Sequence, residues 1–214
     1  MNTLDAIKTH QLIAIIRGAN EEDILPIGQA LQDGGVKLVE VTLNTANALA
    51  GIRRLKEAFG DEMKIGAGTV LDPESAKAAI DAGADFILAP SVKLETIQLT
   101  KRYGKVSIPG AFTPTEIVTA FENGADLIKV FPASVGAQYF KDLKGPLPHI
   151  PLVPTGGVNE TNIQAFKQAG ATAFGIGSSL VDTKQEVTED YLEALTKKSS
   201  SFCKAYTVRE DEEK

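Results

Sequence analysis

Short apolar runs alternate along this chain with longer stretches in which apolar residues return every third or fourth position. The runs are LIAIIRG (12–18), LVEVTL (38–43), KIGAGTV (64–70), FILAP (86–90), VSIPG (106–110), LIKVFP (127–132), LVPTGG (152–157) and AFGIGS (173–178). They are brief, rich in branched side chains and bounded by Gly, Pro, Asn or Asp, as strands buried on both faces of a parallel sheet are. The stretches between them carry helical periodicity. A leading helix covers about 2–10, and Asn20 opens the next, with Glu21, Glu22 and Asp23 in its first turn. Asp72-Pro73 and Thr113-Pro114 read as N-cap and N1 pairs, and a closing helix runs over about 189–206.

Eight strand–helix units with right-handed crossovers predict an α/β fold, a (β/α)8 TIM barrel forming one domain over 1–214, with the leading helix at 1–10 and a solvated charged tail at 207–214. An open doubly wound sheet would show a dinucleotide fingerprint after its first strand. IRGANEED lacks GxGxxG there, and GAGTV follows the third strand with no third glycine in place.

An internal repeat sets the register of the strands. DGGVKLVEVT, DAGADFILAP, ENGADLIKVFP and QAGATAFGIGS each carry a helix-ending glycine followed by a strand, and five residues past Gly35, Gly83, Gly124 and Gly170 stand Glu40, Leu88, Lys129 and Gly175. Strand side chains alternate faces, so these four point one way, into one interior layer of the barrel. Thr42, Pro90, Phe131 and Gly177 form the layer above, toward the C-terminal mouth where active sites of this fold sit.

Composition narrows the function classes. With 214 residues, 43% of them hydrophobic, the chain can bury one sizeable core. A formal charge of −6 argues against a nucleic-acid or membrane partner. One cysteine, Cys203, excludes an internal disulfide, and with two histidines, His10 and His149, it makes neither a metal-ligand cluster nor a Cys/His nucleophile pair. Neither a signal-peptide pattern nor an apolar run of about 18 residues is present, so a soluble cytoplasmic protein is expected.

Lys129 is a cation in the middle of an apolar strand, and Glu40 an anion in another. Together in one dry layer they could be a structural ion pair, which need not stabilise because both charges lose their water. They could also be reactive: a cage of Leu127, Val130, Phe131 and Leu88 disfavours the ammonium and leaves free amine to attack a carbonyl. Schiff-base chemistry needs an acid/base to carry off water, and Glu40 is the acid that register places in that layer. PTGGVN and GIGSS bring backbone N–H groups to the mouth after the last two strands, the phosphate cradle of this fold, with GSSL able to open a short anion-attracting helix. Arg17, at the end of the first strand, supplies a counter-charge.

LIAIIRG, EVTLNT, IGAGTV, ILAP, IPGAFTPTE, KVFPAS, LKGPLPHIPLVPTGGVN and GIGSSLV together resemble the bacterial 2-keto-3-deoxy-6-phosphogluconate (KDPG) aldolases, several of which also act on 4-hydroxy-2-oxoglutarate. The resemblance implies a class I, usually homotrimeric, barrel aldolase with no cofactor or metal and a 2-keto-3-deoxy phosphosugar acid as substrate. It implies Lys129 as the Schiff-base lysine and Glu40 as the acid/base. Thr69, Pro90, Phe131 and Thr155 would line the pyruvate end with Arg17 near the carboxylate, while Gly156, Gly157, Gly177 and Ser178 would hold the phosphate. Asn44 stands where many members have Arg, which removes a guanidinium for a second carboxylate and resembles the related 2-keto-3-deoxy-6-phosphogalactonate aldolases. Ser134 likewise replaces a commoner acidic residue. Two other readings fit the same residues: a phosphate-binding barrel with different chemistry, such as an epimerase or a thiamine-phosphate-synthase-like transferase, and a non-catalytic phosphosugar sensor.

Overall fold

A computed structural model describes residues 1–60 and 62–205; the tail expected at 207–214 lies outside them. In chain order the elements are α1 (Thr3–His10), β1 (Leu12–Ile16), α2 (Ile24–Asp33), β2 (Leu38–Thr42), α3 (Ala48–Phe59), β3 (Lys64–Gly68), α4 (Pro73–Asp81), β4 (Phe86–Leu88) and α5 (Leu94–Arg102). They continue through β5 (Val106–Ile108), β6 (Gly110–Ala111), α6 (Pro114–Glu122), β7 (Ile128–Val130), α7 (Ala137–Lys144), β8 (Leu152–Pro154), α8 (Ile163–Gln168), β9 (Phe174–Ile176) and α9 (Glu189–Ala205). Among the described residues, no helix is long and apolar enough to cross a membrane.

All strand pairs are parallel, in a curled sheet of order β5-β4-β3-β2-β1-β9 and a second of order β6-β7-β8. The two meet at both edges. On one side β5 and β6 are separated only by Pro109, whose carbonyl accepts from Lys129 N at 2.9 Å. On the other, Thr155 bridges to Gly175, and Thr172 N donates to Leu152 O at 2.9 Å.

Side-chain parity divides the core in two. Ile13, Leu38, Phe86, Leu88, Ile108, Leu127 and Val153 pack with one another inside the curl, joined by Ala6 and Ile7 of α1. Their strand neighbours, such as Ala14, Val39, Ile87, Ile128 and Leu152, belong to a larger cluster shared with the helices. Strands β1, β2, β4 and β8 therefore put apolar side chains on both faces, as the runs predict. Glycine adjusts the interior where bulk would collide: a Cβ on Gly66 would stand 2.1 Å from the Phe86 ring.

The caps at Asp72 and Thr113 form as expected. Asp72 accepts from Ser75 N, and Thr113 and Glu116 make a reciprocal capping box. Three expectations are corrected. The second helix starts at Ile24 and not at Asn20, because Pro26 has no N–H to return to residue 22; Asn20 bonds the Asp23 side chain instead, at 3.0 Å. VSIPG is two strand segments, since Pro109 interrupts the ladder. Of the stretches with helical periodicity, the one that follows LVPTGG begins late, at Ile163, because Asn159 and Asn162 bond each other and the preceding glycine loop.

The repeat also builds a recurring staple below the strands. Lys56 at the end of α3 passes over Gly83 and grips Asp85 at 2.8 Å, while Asp85 accepts from Ile65 N. One unit on, Lys101 at the end of α5 passes over Gly124 and grips Asp126 at 2.6 Å, and Asp126 accepts from Ser107 N. Each aspartate ties a helix end to the start of a neighbouring strand.

Candidate active site

Lys129 is the middle residue of β7, paired with Gly110 on one side and Val153 on the other. Only 2% of it is exposed, and its ammonium lies 5.1 Å from the centre of the Phe131 ring. Burial pushes its pKa below the usual lysine value, Glu40 pulls it back up, and Arg17 pushes it down again. Of the cage expected around it, Leu127 and Leu88 face the interior, but Val130 belongs to the outer cluster because it is one residue off in parity.

Glu40 is fully buried on β2, opposite Gly66. Its carboxyl leans toward the C-terminal end of β3 and fills the space that a side chain at Gly68 would need: a Cβ there would stand 1.5 Å from Oε1. Among the described residues, neither carboxyl oxygen has a hydrogen-bond partner. Burial raises its pKa above the ordinary glutamate value, while the charges of Lys129 and Arg17 oppose the rise. None of the ion pairs among the described residues includes Glu40 or Lys129, so the two feel each other's charge without forming a salt bridge. An amine held toward its neutral form and a buried acid facing the same interior are suited to adding to a carbonyl and expelling water.

Above Lys129 opens a cleft of about 340 Å³. Lys129, Phe131, Thr155, Gly156, Gly157, Gly177, Ser178 and Arg17 all line it, together with Gly175, whose missing side chain leaves room for the Thr155 hydroxyl. Glu40, Thr69 and Pro90 stand outside its wall. Glu40 lies beneath, against Gly68; Thr69 follows Gly68 with φ of +54°, rare for a β-branched residue; Pro90 packs against Gly110. Arg17 is exposed, and its backbone is held from two sides. Thr183 donates its hydroxyl to Arg17 O, and Gly18 N donates to Thr45 Oγ1 at 2.8 Å, which in turn lies 3.1 Å from Thr42 Oγ1.

The loops after β8 and β9 favour an anion by removing competing acceptors. Gly156 and Gly157 have φ of +81° and +89°, and Gly157 O accepts from Asn162 Nδ2 at 2.8 Å. Ser179 Oγ donates to Val158 O at 2.7 Å. The short helix expected at GSSL is a single turn instead: Leu180 N and Val181 N both return to Gly177 O, at 2.8 and 3.0 Å, before the chain swings away into another turn. Sequence reading missed Gly68, the two asparagines and the turn Asp182 to Gln185 at the rim. Gly68 was legible in principle, since it faces inward two residues past Gly66 on the strand beside Glu40.

The chain matches the family of KDPG and KHG aldolases over residues 4–197. It belongs to that family. This aldolase is 38% identical over 197 residues to the 2-dehydro-3-deoxy-6-phosphogalactonate aldolase of Escherichia coli (strain K12), covering 91% of this chain and 94% of that protein. It is 39% identical over 158 residues to a 2-dehydro-3-deoxy-phosphogluconate aldolase of Pseudomonas aeruginosa, covering 73% and 71%. The KDPG aldolase of Legionella pneumophila, solved with pyruvate captured at low pH as a covalent carbinolamine intermediate, superposes with a TM-score of 0.82 at 28% identity, covering 94% of this chain and 98% of that one.

Proposed function

We propose that this class I aldolase cleaves 2-keto-3-deoxy-6-phosphogluconate to pyruvate and glyceraldehyde 3-phosphate, with Lys129 as the Schiff-base amine and Glu40 as the acid/base. The observation that carries the residue assignment is the pair itself: a lysine held toward its neutral form by burial and, facing the same interior, a carboxyl with both oxygens unbonded. The Lys129 amine adds to the C2 ketone, and Glu40 in its acid form protonates the carbinolamine oxygen, which leaves as water. The resulting iminium is the electron sink. Removal of the C4 hydroxyl proton by the Glu40 carboxylate, directly or through water, sends the C3–C4 electrons into the iminium and releases the aldehyde phosphate. Protonation of the enamine at C3 and addition of water then return pyruvate and the free amine.

In this reading the two curled sheets are one closed eight-stranded barrel and residues 1–214 one domain. Support comes from the contacts at both sheet edges and from an outer core that runs from Leu12 to Phe202. Thr69, Pro90, Phe131 and Thr155 shape the pyruvate end, Arg17 meets the carboxylate, and Gly156, Gly157, Gly177 and Ser178 hold the phosphate. The substrate is a small phosphosugar acid, the assembly a homotrimer and the compartment the cytoplasm; a doubly charged phosphate ester does not cross a bilayer unaided. Leu71 and Tyr103, both about half exposed, are apolar surface that an assembly would cover.

A second reading is favoured by one residue. Asn44, exposed on the loop after β2, presents an amide where many KDPG aldolases present a guanidinium, which suits the galactonate epimer and disfavours 4-hydroxy-2-oxoglutarate with its second carboxylate. Turnover of the two epimers side by side decides between them.

Incubation with pyruvate and borohydride, followed by peptide mass mapping, tests the chemistry. A pyruvyl adduct at Lys129, absent in Lys129→Ala, is the expected result. Turnover without an adduct would point to the other barrel chemistries, and binding of a sugar phosphate with neither adduct nor turnover to a sensor.

A further inference from the structure

The geometry points to Lys184 as the cation of the phosphate end, carried on a rim turn that lines the same cleft as the glycine loops. The inference rests on the aldolase reading and deepens it. The substrate carries two anionic ends, a carboxylate and a phosphate, into a protein whose net charge of −6 repels it. The basic residues that line the cleft are Arg17, Lys129 and Lys184. Lys129 is the buried nucleophile. Arg17, at the end of β1, is the lining cation that the proposed function gives to the carboxylate. Lys184 is the remaining cation of the lining that includes Gly177 and Ser178, and it is exposed and takes part in none of the ion pairs among the described residues.

The turn that carries Lys184 is built to stay in place. Asp182 accepts from Lys184 N at 3.2 Å and from Gln185 Nε2 at 2.8 Å. Those bonds hold its carboxyl below the usual aspartate range, so it acts mainly to shape the turn; the Lys184 charge is a minor contributor to that shift. Thr183, between them, donates its hydroxyl to Arg17 O and ties the turn to the end of β1. One short segment thus anchors the loop of one cation and bears the other. An ammonium on a flexible stem suits a phosphate, which accepts from any direction, and the fork of Arg17 suits a planar carboxylate.

The test compares a phosphorylated substrate with the same 2-keto-3-deoxy acid lacking its phosphate. In Lys184→Gln, KM for the phosphorylated compound is expected to rise roughly tenfold, the effect of one partly solvated charge-assisted contact. Its kcat should change little, and the constants for the unphosphorylated compound should move less than twofold. Inorganic phosphate, as a competitive inhibitor and as a directly titrated ligand, should bind correspondingly more weakly to the variant. Lys184→Arg should restore most of both, and the difference between wild type and variant should shrink at high ionic strength. Equal changes on both substrates, or an unchanged KM and phosphate affinity, would overturn the assignment while leaving an active aldolase. A wild type that turns over neither compound would remove the aldolase reading and this inference with it.

Discussion

A glutamate whose two oxygens are both buried and unbonded is costly to keep in a fold, and at Glu40 the cost falls where the proposed chemistry needs an acid. Glu40→Gln should fold normally by circular dichroism and lose about 10²–10⁴ in kcat, the range for an acid/base group. Gly68→Ala tests the same side chain from its neighbour. The new methyl would overlap Oε1, so stability should fall by about 1–3 kcal/mol in urea titrations and turnover should fall with it. The two charges also leave opposite marks on stability. Lys129 titrates below the ordinary 10.5, so between its lowered value and 10.5 the unfolded chain holds more protons, and its contribution grows as pH rises through that window. Glu40 titrates above 4.5, so its contribution is complete below 4.5 and is lost as pH rises through the raised value. Lys129→Met should therefore gain stability relative to wild type as pH falls from 10.5 toward neutrality, read as urea midpoints at several pH values. Lys129 and Glu40 were legible in the sequence because a charge in an apolar run is conspicuous and the repeat puts both at one offset. The room that Gly68 makes and the bonds of Asn162 were not, because each depends on a neighbour distant in sequence.

At the level of elements, strands and their inward faces followed from the apolar runs, and two of the departures trace to proline. Pro109 splits a strand that composition reads as one, and Pro26 postpones a helix that acidic residues announce early. The lysine–aspartate staples were hidden in plain view: Asp85 and Asp126 sit in the repeat itself, but their partners lie on preceding helices. Asp85→Ala and Asp126→Ala should each cost about 2–3 kcal/mol, since each leaves a lysine and a strand N–H without their acceptor. Urea denaturation measures this, with activity per folded molecule retained.

For the molecule as a whole, alternation of strand and helix was enough to announce a curled parallel sheet, and glycine punctuation to place its loops. Assembly was not legible, because a helix face that meets another subunit and one that meets water can share a pattern. A light-scattering mass of three 22.7 kDa chains is the expected outcome for the proposed homotrimer. The leading helix was legible as a helix, yet its place was not. Ala6 and Ile7 of α1 sit in the interior cluster with Leu4 packed against it, at the end opposite the cleft. In the proposed closed barrel they act as a stopper opposite the mouth. Pull the stopper, by deleting residues 1–10, and water would reach the amine from below: its titration should climb back toward that of a free lysine, and pyruvate trapping should demand a more alkaline buffer than the intact chain requires.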